Sequence, residues 1–149
     1  MAALDVTDLP ETHVADTGVW LWVRDRRFPE LRPWFDDQVR AGRVAVCAPI
    51  ALELVRGAPN PDAAAKSGER LGLLQHLRCG DEAWERAGEL QLALARSGDH
   101  RRVPVIDLAI GAACELADTP LLHYDADFER IAAVGKLRHR WLAARGALT

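Results

Sequence analysis

Several common features are scarce or missing in this 149-residue chain. Its three cysteines, Cys47, Cys79 and Cys114, are widely spaced and form no CxxC pair, so neither a zinc site nor a disulfide framework is indicated. Free thiols fit a reducing compartment. No stretch approaches the ~20 apolar residues of a membrane span, and the N-terminus has no apolar signal core. The sequence therefore predicts a cytoplasmic protein without a membrane partner.

The chain also lacks an excess of basic residues. Its net charge is −3, so nothing attracts nucleic acid globally, and any such contact must use a local patch. Arginine outnumbers lysine 17 to 2, which favours forked phosphate contacts but equally fits the codon bias of a GC-rich genome. A hydrophobic fraction of 49% over this length is sufficient for one ordinary globular core.

Buried apolar runs alternate with helical patterns along the chain, which predicts a three-layer α/β/α sandwich with a mostly parallel central sheet. Residues 1–11 are expected to form a polar N-terminal extension and residues 12–149 a single domain. The pattern predicts strands at 12–15, 44–47 and 121–124, with a possible edge strand at 77–79. It predicts helices at 17–23, from Pro29 or Pro33 to Gly42, and from Pro49 to Gly57. A loop at 58–68 is expected to lead into a helix through Leu77. Further helices are predicted at 82–96, from Pro104, and at 127–134, followed by a tail from 136 to 149.

Acidic residues sit where these strands end or helices begin, namely Asp16, Glu53, Asp107 and Asp125, with Asp127 two positions on. The carboxyl ends of parallel strands meet along one edge of a sheet, so these acids are expected to converge there. Two unit charges ~4 Å apart interact by about 4 kcal/mol at an effective dielectric near 20, so such a cluster needs a cation. Oxygen ligands favour magnesium or manganese.

Each acid taken alone also has a structural interpretation. Asp16 can be an N-cap, Asp107 can interact with a helix dipole, and Asp125 with Asp127 can form an Asx turn and a cap. Glu53 can pair with Arg56 on a solvated face. The combination favours a site, and the i,i+2 spacing of Asp125 and Asp127 in extended chain would send both side chains the same way.

Four sequence blocks carry a family resemblance: VADTG, ALELVRG, RVPVIDLAIGAA and LLHYDADFERIA. Together they resemble the blocks of PIN-domain nucleases, and the similarity is closest to the VapC-type toxins of bacterial toxin–antitoxin pairs. The resemblance covers about residues 12–134. Gly18 departs from it, because the family usually has Ser or Asn there, and the N-terminal extension is longer than is common.

The resemblance implies a magnesium- or manganese-dependent endoribonuclease that hydrolyses RNA phosphodiester bonds with a metal-activated water. It assigns Asp16, Glu53, Asp107 and Asp125 to catalysis. The metal site would comprise Asp16, Asp107, Asp125 and Asp127, with Asp16 and Asp125 as direct ligands. Thr17 matches a position whose hydroxyl lies near the site, where it would contact the substrate. A cognate VapB-type antitoxin and a homodimer are the implied protein partners.

Local arginine groups are the candidate RNA contacts, among them Arg24, Arg102 and the acid-free tail from Lys136 onward. His123 adjoins the site, but a strand-end histidine is expected to pack in the core. Five of the nine aromatic residues fall between Val19 and Phe35. Trp20 and Trp22 should point to different sides of their helix, so one of them is expected to stay partly exposed. The resemblance to VapC toxins implies that the exposed one lines a groove for an antitoxin segment.

Three other interpretations fit parts of the pattern. The Asp-x-Asp of HYDADF suggests a phosphatase of the haloacid dehalogenase type, although that pair should follow the first strand. A Toprim-like core also uses Glu and Asp-x-Asp but does not require Asp16. A non-catalytic PIN-like module that binds RNA or protein would keep the fold without the activity.

Overall fold

Five short strands form one all-parallel sheet in the computed structural model, which describes residues 9–149. The strands are β1 (His13–Ala15), β2 (Val44–Cys47), β3 (Gln75–Leu77), β4 (Leu121–His123) and β5 (His139–Trp141). Their order across the sheet is β3-β2-β1-β4-β5, so β1 is central. Every residue of β1, β2 and β4 is buried, as expected for parallel strands covered on both faces.

Helices connect successive strands and cover the sheet. They are α1 (Thr17–Trp22), α2 (Leu31–Arg40), α3 (Ala48–Arg56), α4 (Pro61–Gly72), α5 (Asp81–Arg96), α6 (Val105–Leu116) and α7 (Ala126–Val134). Their starts follow local chemistry: Asp16 and Asp125 are N-caps, and α3 has Pro49 in its first turn. After α2, Gly42 adopts φ +70°, a conformation that glycine allows, and the chain turns into β2.

Two hydrophobic clusters lie on opposite faces of the sheet. In β1, Val14 belongs to one cluster and Ala15 to the other, and in β4 the same holds for Leu121 and Leu122. This alternation is what a strand with both faces buried requires. One cluster includes residues of α3, α5, α6 and α7, and the other those of α1 and α2. The predicted three-layer α/β/α sandwich is therefore confirmed, with a sheet that is wholly parallel.

The predicted loop at 58–68 is wrong, because α4 begins at Pro61 and ends at Gly72. Asn60 is its N-cap, accepting a hydrogen bond from the backbone N–H of Ala63 at 2.9 Å. The loop prediction fails because an Asn-Pro pair can begin a helix as readily as it can form a turn. The helix does not extend through Leu77, which lies in β3, and the edge strand falls at 75–77 rather than 77–79.

Residues 136–149 are not merely a tail. They contain β5, which pairs with β4 through His139 opposite Leu121. Beyond it, Leu142, Ala143 and Leu148 are buried in the second cluster. A three-residue strand with an arginine at its centre is too short to show a hydrophobic period, so no strand signal is visible in the sequence there.

At the other end, residues 1–8 of the predicted extension lie outside the described part of the chain. Leu9 is buried in the second cluster, and Glu11 forms an ion pair with Arg138 at 3.1 Å. No helix within residues 9–149 combines the length and the apolar character needed to cross a membrane.

Candidate metal centre

The two central strands deliver the first two acids of the site. Asp16 directly follows β1 and Asp125 lies two residues beyond β4, and these strands are neighbours in the sheet. Each aspartate then caps a helix: Asp16 accepts from the N–H of Gly18 at 3.4 Å, and Asp125 from that of Asp127 at 2.9 Å. Capping fixes both carboxylates at the carboxyl edge of the sheet, as the strand-end argument predicts.

Three aspartates form the tightest acidic group. One carboxylate oxygen from each of Asp107, Asp125 and Asp127 lies within 4.8 Å of the others. Asp107 comes from the first turn of α6 and Asp127 from the first turn of α7. Asp125 and Asp127 do not lie in extended chain as expected. They come together because Asp125 is the N-cap of the helix that Asp127 begins.

Glu53 and Thr17 form the opposite side of the site. The Thr17 hydroxyl donates a hydrogen bond to Oε2 of Glu53, which joins α1 to α3. Charge on Glu53 raises the pKa values of both Asp16 and Asp107, so it lies close enough to act on them. The predicted convergence of Glu53 is thus met, whereas a surface pair with Arg56 is absent from the ion pairs of residues 9–149.

The surroundings of two carboxylates disfavour their charge. Burial, followed by repulsion from Glu53 and Asp125, raises the pKa of Asp16 to about 6, although the N–H groups of Gly18 and Thr17 oppose the change. Burial and the charges of Asp16, Asp125, Asp127 and Glu53 raise the pKa of Asp107 to about 7. Both shifts mark a site where negative charge is crowded.

These residues fit a hard divalent cation. All the donors are carboxylate oxygens, which magnesium and manganese prefer. Within residues 9–149, the only ion pair to the five acids is that of Arg130 with Asp127, at 2.6 Å. One guanidinium cannot balance five carboxylates, so the remaining repulsion is what a bound cation would relieve.

The candidate substrate contacts lie outside this acidic group. Arg24 follows α1 and lines a groove beside it. Arg102 lies in the exposed loop before α6, with its Nε 3.9 Å from Asp99. Two of the four lysine and arginine residues in the tail form ion pairs, Arg138 with Glu11 and Asp118, and Arg145 with Glu129. The acids that offset part of the tail's positive charge therefore all come from outside the tail.

His123 has a role that the sequence analysis did not assign. It is fully buried against Phe128, as expected, but its Nδ1 also accepts the backbone N–H of Asp125 at 3.1 Å. Its Nε2 lies 2.8 Å from Nδ1 of His139 in β5. Burial and the neighbouring His139 lower the pKa of His123 to about 3. The missed signal was a histidine placed two residues before a site aspartate.

Fold and site together define a class: an α/β protein with an acidic cluster of carboxylates at the carboxyl edge of a parallel sheet. The model of the PIN domain family matches residues 14–134. Ribonuclease VapC21 of Mycobacterium tuberculosis is 35% identical over 119 residues, covering 79% of this chain and 86% of the relative. Ribonuclease VapC18 of the same organism is 30% identical over 135 residues, covering 89% and 96%. The chain belongs to the PIN domain family, among its VapC members.

Solved structures agree with this assignment. The VapBC-5 structure from Mycobacterium tuberculosis has a TM-score of 0.56 at 26% identity, covering 91% of this chain and 100% of that one. DNA-bound VapBC from Salmonella typhimurium has a TM-score of 0.68 at 18% identity, covering 89% and 99%, and supports the fold. A haloacid dehalogenase or Toprim assignment is not needed, because the Asp-x-Asp pair follows β4 and Asp16 follows β1.

Proposed function

We propose that this protein is a magnesium- or manganese-dependent endoribonuclease, the toxin of a toxin–antitoxin pair. The observation that carries the proposal is the convergence of five carboxylates with raised pKa values at Asp16 and Asp107. The names of its relatives, ribonucleases of the VapC group, support RNA as the substrate. The predicted cytoplasmic location and homodimer belong to the same proposal.

The chain's own residues divide the work. Asp16, Asp107, Asp125 and Asp127 would hold the cation, with Asp16 and Asp125 as direct ligands. When bound, the cation supplies charge neutralisation at the scissile phosphate and acidification of a water. Glu53 would orient the attacking water through Oε1, because its Oε2 already accepts from Thr17. The hydroxyl proton of Thr17 is therefore used to position Glu53. In its predicted contact with substrate, the Thr17 oxygen would act only as a hydrogen-bond acceptor.

Arg24 and Arg102 are proposed to bind phosphates on either side of the cleaved bond. Both are exposed, and Arg102 lies five residues before Asp107, at the approach to α6. Forked guanidinium donors suit phosphate oxygens, and an acidic site needs such cations nearby to retain a polyanion.

Cleavage of RNA tests the enzymatic proposal directly. Expression of the chain alone in cells should create new RNA 5′ ends, which sequencing can map, and Asp16→Asn should abolish them. The purified protein should cleave those same sequences with added magnesium or manganese and stop when a chelator is added. A folded wild-type protein that makes no new ends would favour the non-catalytic PIN-like module.

The groove beside α1 supports a protein partner. It has a volume of ≈ 410 Å³. Its walls are mainly apolar and carry the three arginines Arg24, Arg32 and Arg70 but one acid, Asp36. The lining comprises Trp20, Val23, Arg24, Arg32, Asp36, Val39, Leu54, Ser67, Arg70, Leu71, Leu73 and Leu74. A VapB-type antitoxin segment that combines apolar and acidic side chains would fit here, with a terminal Arg or Lys reaching the acid cluster.

Trp20 is the tryptophan to test in this complex. It lines the groove with its indole N–H donating to the carbonyl of Ala15 at 3.2 Å, whereas Trp22 packs against Phe28 and Tyr124. A small protein encoded beside this gene should copurify with the chain and silence the RNase. Trp20→Ala should weaken that complex at least tenfold, as truncation of an interface hot spot does. Trp84→Ala, which removes an exposed tryptophan from α5, is the control. Equal affinity for both variants would place the partner surface elsewhere.

A further inference from the structure

Both ring nitrogens of His123 are engaged, one toward the site and one away from it. Nδ1 accepts the backbone N–H of Asp125 at 3.1 Å, and Nε2 lies 2.8 Å from Nδ1 of His139. The second histidine comes from β5, the edge strand next to β4. A continuous set of hydrogen bonds therefore joins the edge of the sheet to the backbone of a site aspartate.

The direction of each bond follows from simple chemistry. A backbone N–H can only donate, so Nδ1 of His123 carries no proton. With Nδ1 unprotonated the ring is neutral, as its full burial also favours, and the single ring proton of His123 lies on Nε2. That proton must be donated to Nδ1 of His139, so the His139 ring is the acceptor. The two rings thus have one defined pair of tautomers.

Asp125 needs this support more than the other acids of the site. It is the exposed member of the group formed with Asp107 and Asp127. One of its carboxylate oxygens already accepts from the N–H of Asp127. Packing around an exposed side chain cannot fix its position, so the anchored peptide at its N–H is the firm point.

We propose that His139 is a positioning residue that, through His123, holds the backbone of Asp125 and so places its carboxylate at the metal centre. The proposal rests on the proposed function only in taking that carboxylate as a cation ligand. A residue that holds a metal ligand through hydrogen bonds orients that ligand, as the hydrogen-bond partners of metal-bound histidines do.

Neighbouring rings make His123 a rigid intermediary. Its ring centroid lies 5.3 Å from that of Phe128 and 4.9 Å from that of Trp141. Substitution of His139 would remove the acceptor that it offers to the buried Nε2–H of His123. If the His123 ring then rotated toward another acceptor, its Nδ1 would lose the hydrogen bond from the Asp125 N–H. The positioning of a site residue would then be lost while the sheet stayed intact.

Substitution of His139 separates positioning from simple structural support. His139→Leu removes the acceptor, whereas His139→Asn keeps one, because the Asn Oδ1 lies about where the His Nδ1 does. His76→Leu is the matched control: it removes a histidine from β3, the opposite edge strand, where Nε2 of His76 lies 2.9 Å from the Leu71 carbonyl oxygen. Each variant is purified as the full chain without metal and titrated with Mn²⁺.

We expect His139→Leu to weaken Mn²⁺ binding by about tenfold, the lower end of what loss of an outer partner costs. Hydrogen exchange of the Asp125 amide should speed up in the same variant. His139→Asn should recover most of both properties, and His76→Leu should match wild type. A His139→Leu protein within twofold of wild type in Mn²⁺ affinity and amide exchange would overturn the proposal, as would an Asn variant no better than Leu.

Nitrogen-15 spectra of the wild-type protein provide a readout without substitution. In the metal-free protein, His123 should show an unprotonated Nδ1 and a protonated Nε2, and His139 an unprotonated Nδ1. A proton on Nδ1 of His123 would refute the proposed hydrogen bonds from Asp125 to His139, whether or not Mn²⁺ binds. Conversely, if the wild-type protein shows these tautomers but does not bind Mn²⁺, the proposed metal function is wrong although the hydrogen bonds are present.

Discussion

Two places in this fold bury carboxylates, and they treat the charge in opposite ways. At the far end of α6, Glu115 accepts from Arg86 at 2.7 Å and from the N–H of Lys136 at 3.1 Å, and its side chain is only 9% exposed. Arg86 also bonds Glu89 at 2.7 Å. At the start of the same helix, Asp107 faces four other acids, and its pKa is raised to about 7.

The contrast separates a structural charge from a functional one. Glu115 has its counterion, Arg86, within the chain. The charge of Glu115 is therefore compensated in the folded state, and the pair connects α5 to α6. The acids around Asp107 have one arginine among them and leave repulsion that a ligand from outside can relieve. Functional sites commonly carry such unfavourable charge, which the rest of the fold must stabilise.

The largest expected effect is on cleavage. Asp107→Asn keeps the helix start and the side-chain volume but removes one charge from the acidic cluster. RNA cleavage should fall on the order of 10²–10³-fold, as with loss of one electrostatic group at an active site. RNA binding should persist or tighten, because phosphate is repelled less. Asp81→Asn is the control, since Asp81 is also a first-turn aspartate, in α5. Near-wild-type cleavage by the Asp107 variant would reduce Asp107 to a helix-start residue.

Breaking the compensated pair should act on stability instead. Arg86→Ala leaves Glu115 buried beside one backbone N–H, and we expect a loss of about 2–3 kcal/mol in the free energy of unfolding, since Arg86 is partly exposed. Thermal unfolding measures it as a fall in Tm of about 5–10 °C. Arg40→Ala, which removes an exposed pair with Asp37, should change stability by about 0.5 kcal/mol or less. Equal losses in both variants would contradict a stabilising role for the buried Glu115–Arg86 pair.

The smallest effect has the opposite sign and depends on pH. The pKa of Asp107 is raised from 3.8 to about 7 in the folded protein, so its ionisation opposes folding. Below pH 3.8 the group is protonated in both states and costs nothing. Between pH 3.8 and about 7 the carboxyl group loses its proton in the unfolded chain but keeps it in the folded protein, so the metal-free protein loses stability across this window, and the loss is complete above pH 7.

Asp107→Asn should therefore stabilise the metal-free protein by about 1 kcal/mol at pH 8, after allowance for partial exposure and the lost helix-dipole interaction. The advantage should vanish near pH 4. Denaturant unfolding at the two pH values measures it, with Asp81→Asn as the matched control in the first turn of another helix. A variant less stable than wild type at pH 8 would argue against crowded charge.

The sequence predicted the part of the molecule that follows local rules. The convergence of Asp16, Glu53, Asp107 and Asp125 follows from strand ends and helix starts in a parallel α/β fold, and the structure brings them together. Caps were equally readable, because Asp16 and Asp125 precede helical patterns.

What could not be predicted depends on contacts between distant segments. β5 exists because its three residues pair with β4, and the hydrogen bond from His123 to His139 exists only once that pairing forms. Neither residue carries a local signal of this. The pairing of Arg138 with Glu11 and Asp118 likewise spans the chain, so the tail looked more basic than it is.

The central claim is that the acid cluster is a cation site, and the Tm of the metal-free protein with increasing Mn²⁺ tests it most directly. Binding to the folded state alone adds about 2.7 kcal/mol at 100 times the Kd, or about 5–10 °C for a chain of this size. Wild type should show this rise, and Asp125→Asn should lose most of it while remaining folded. A wild-type Tm that millimolar Mn²⁺ and Mg²⁺ leave unmoved would contradict the account.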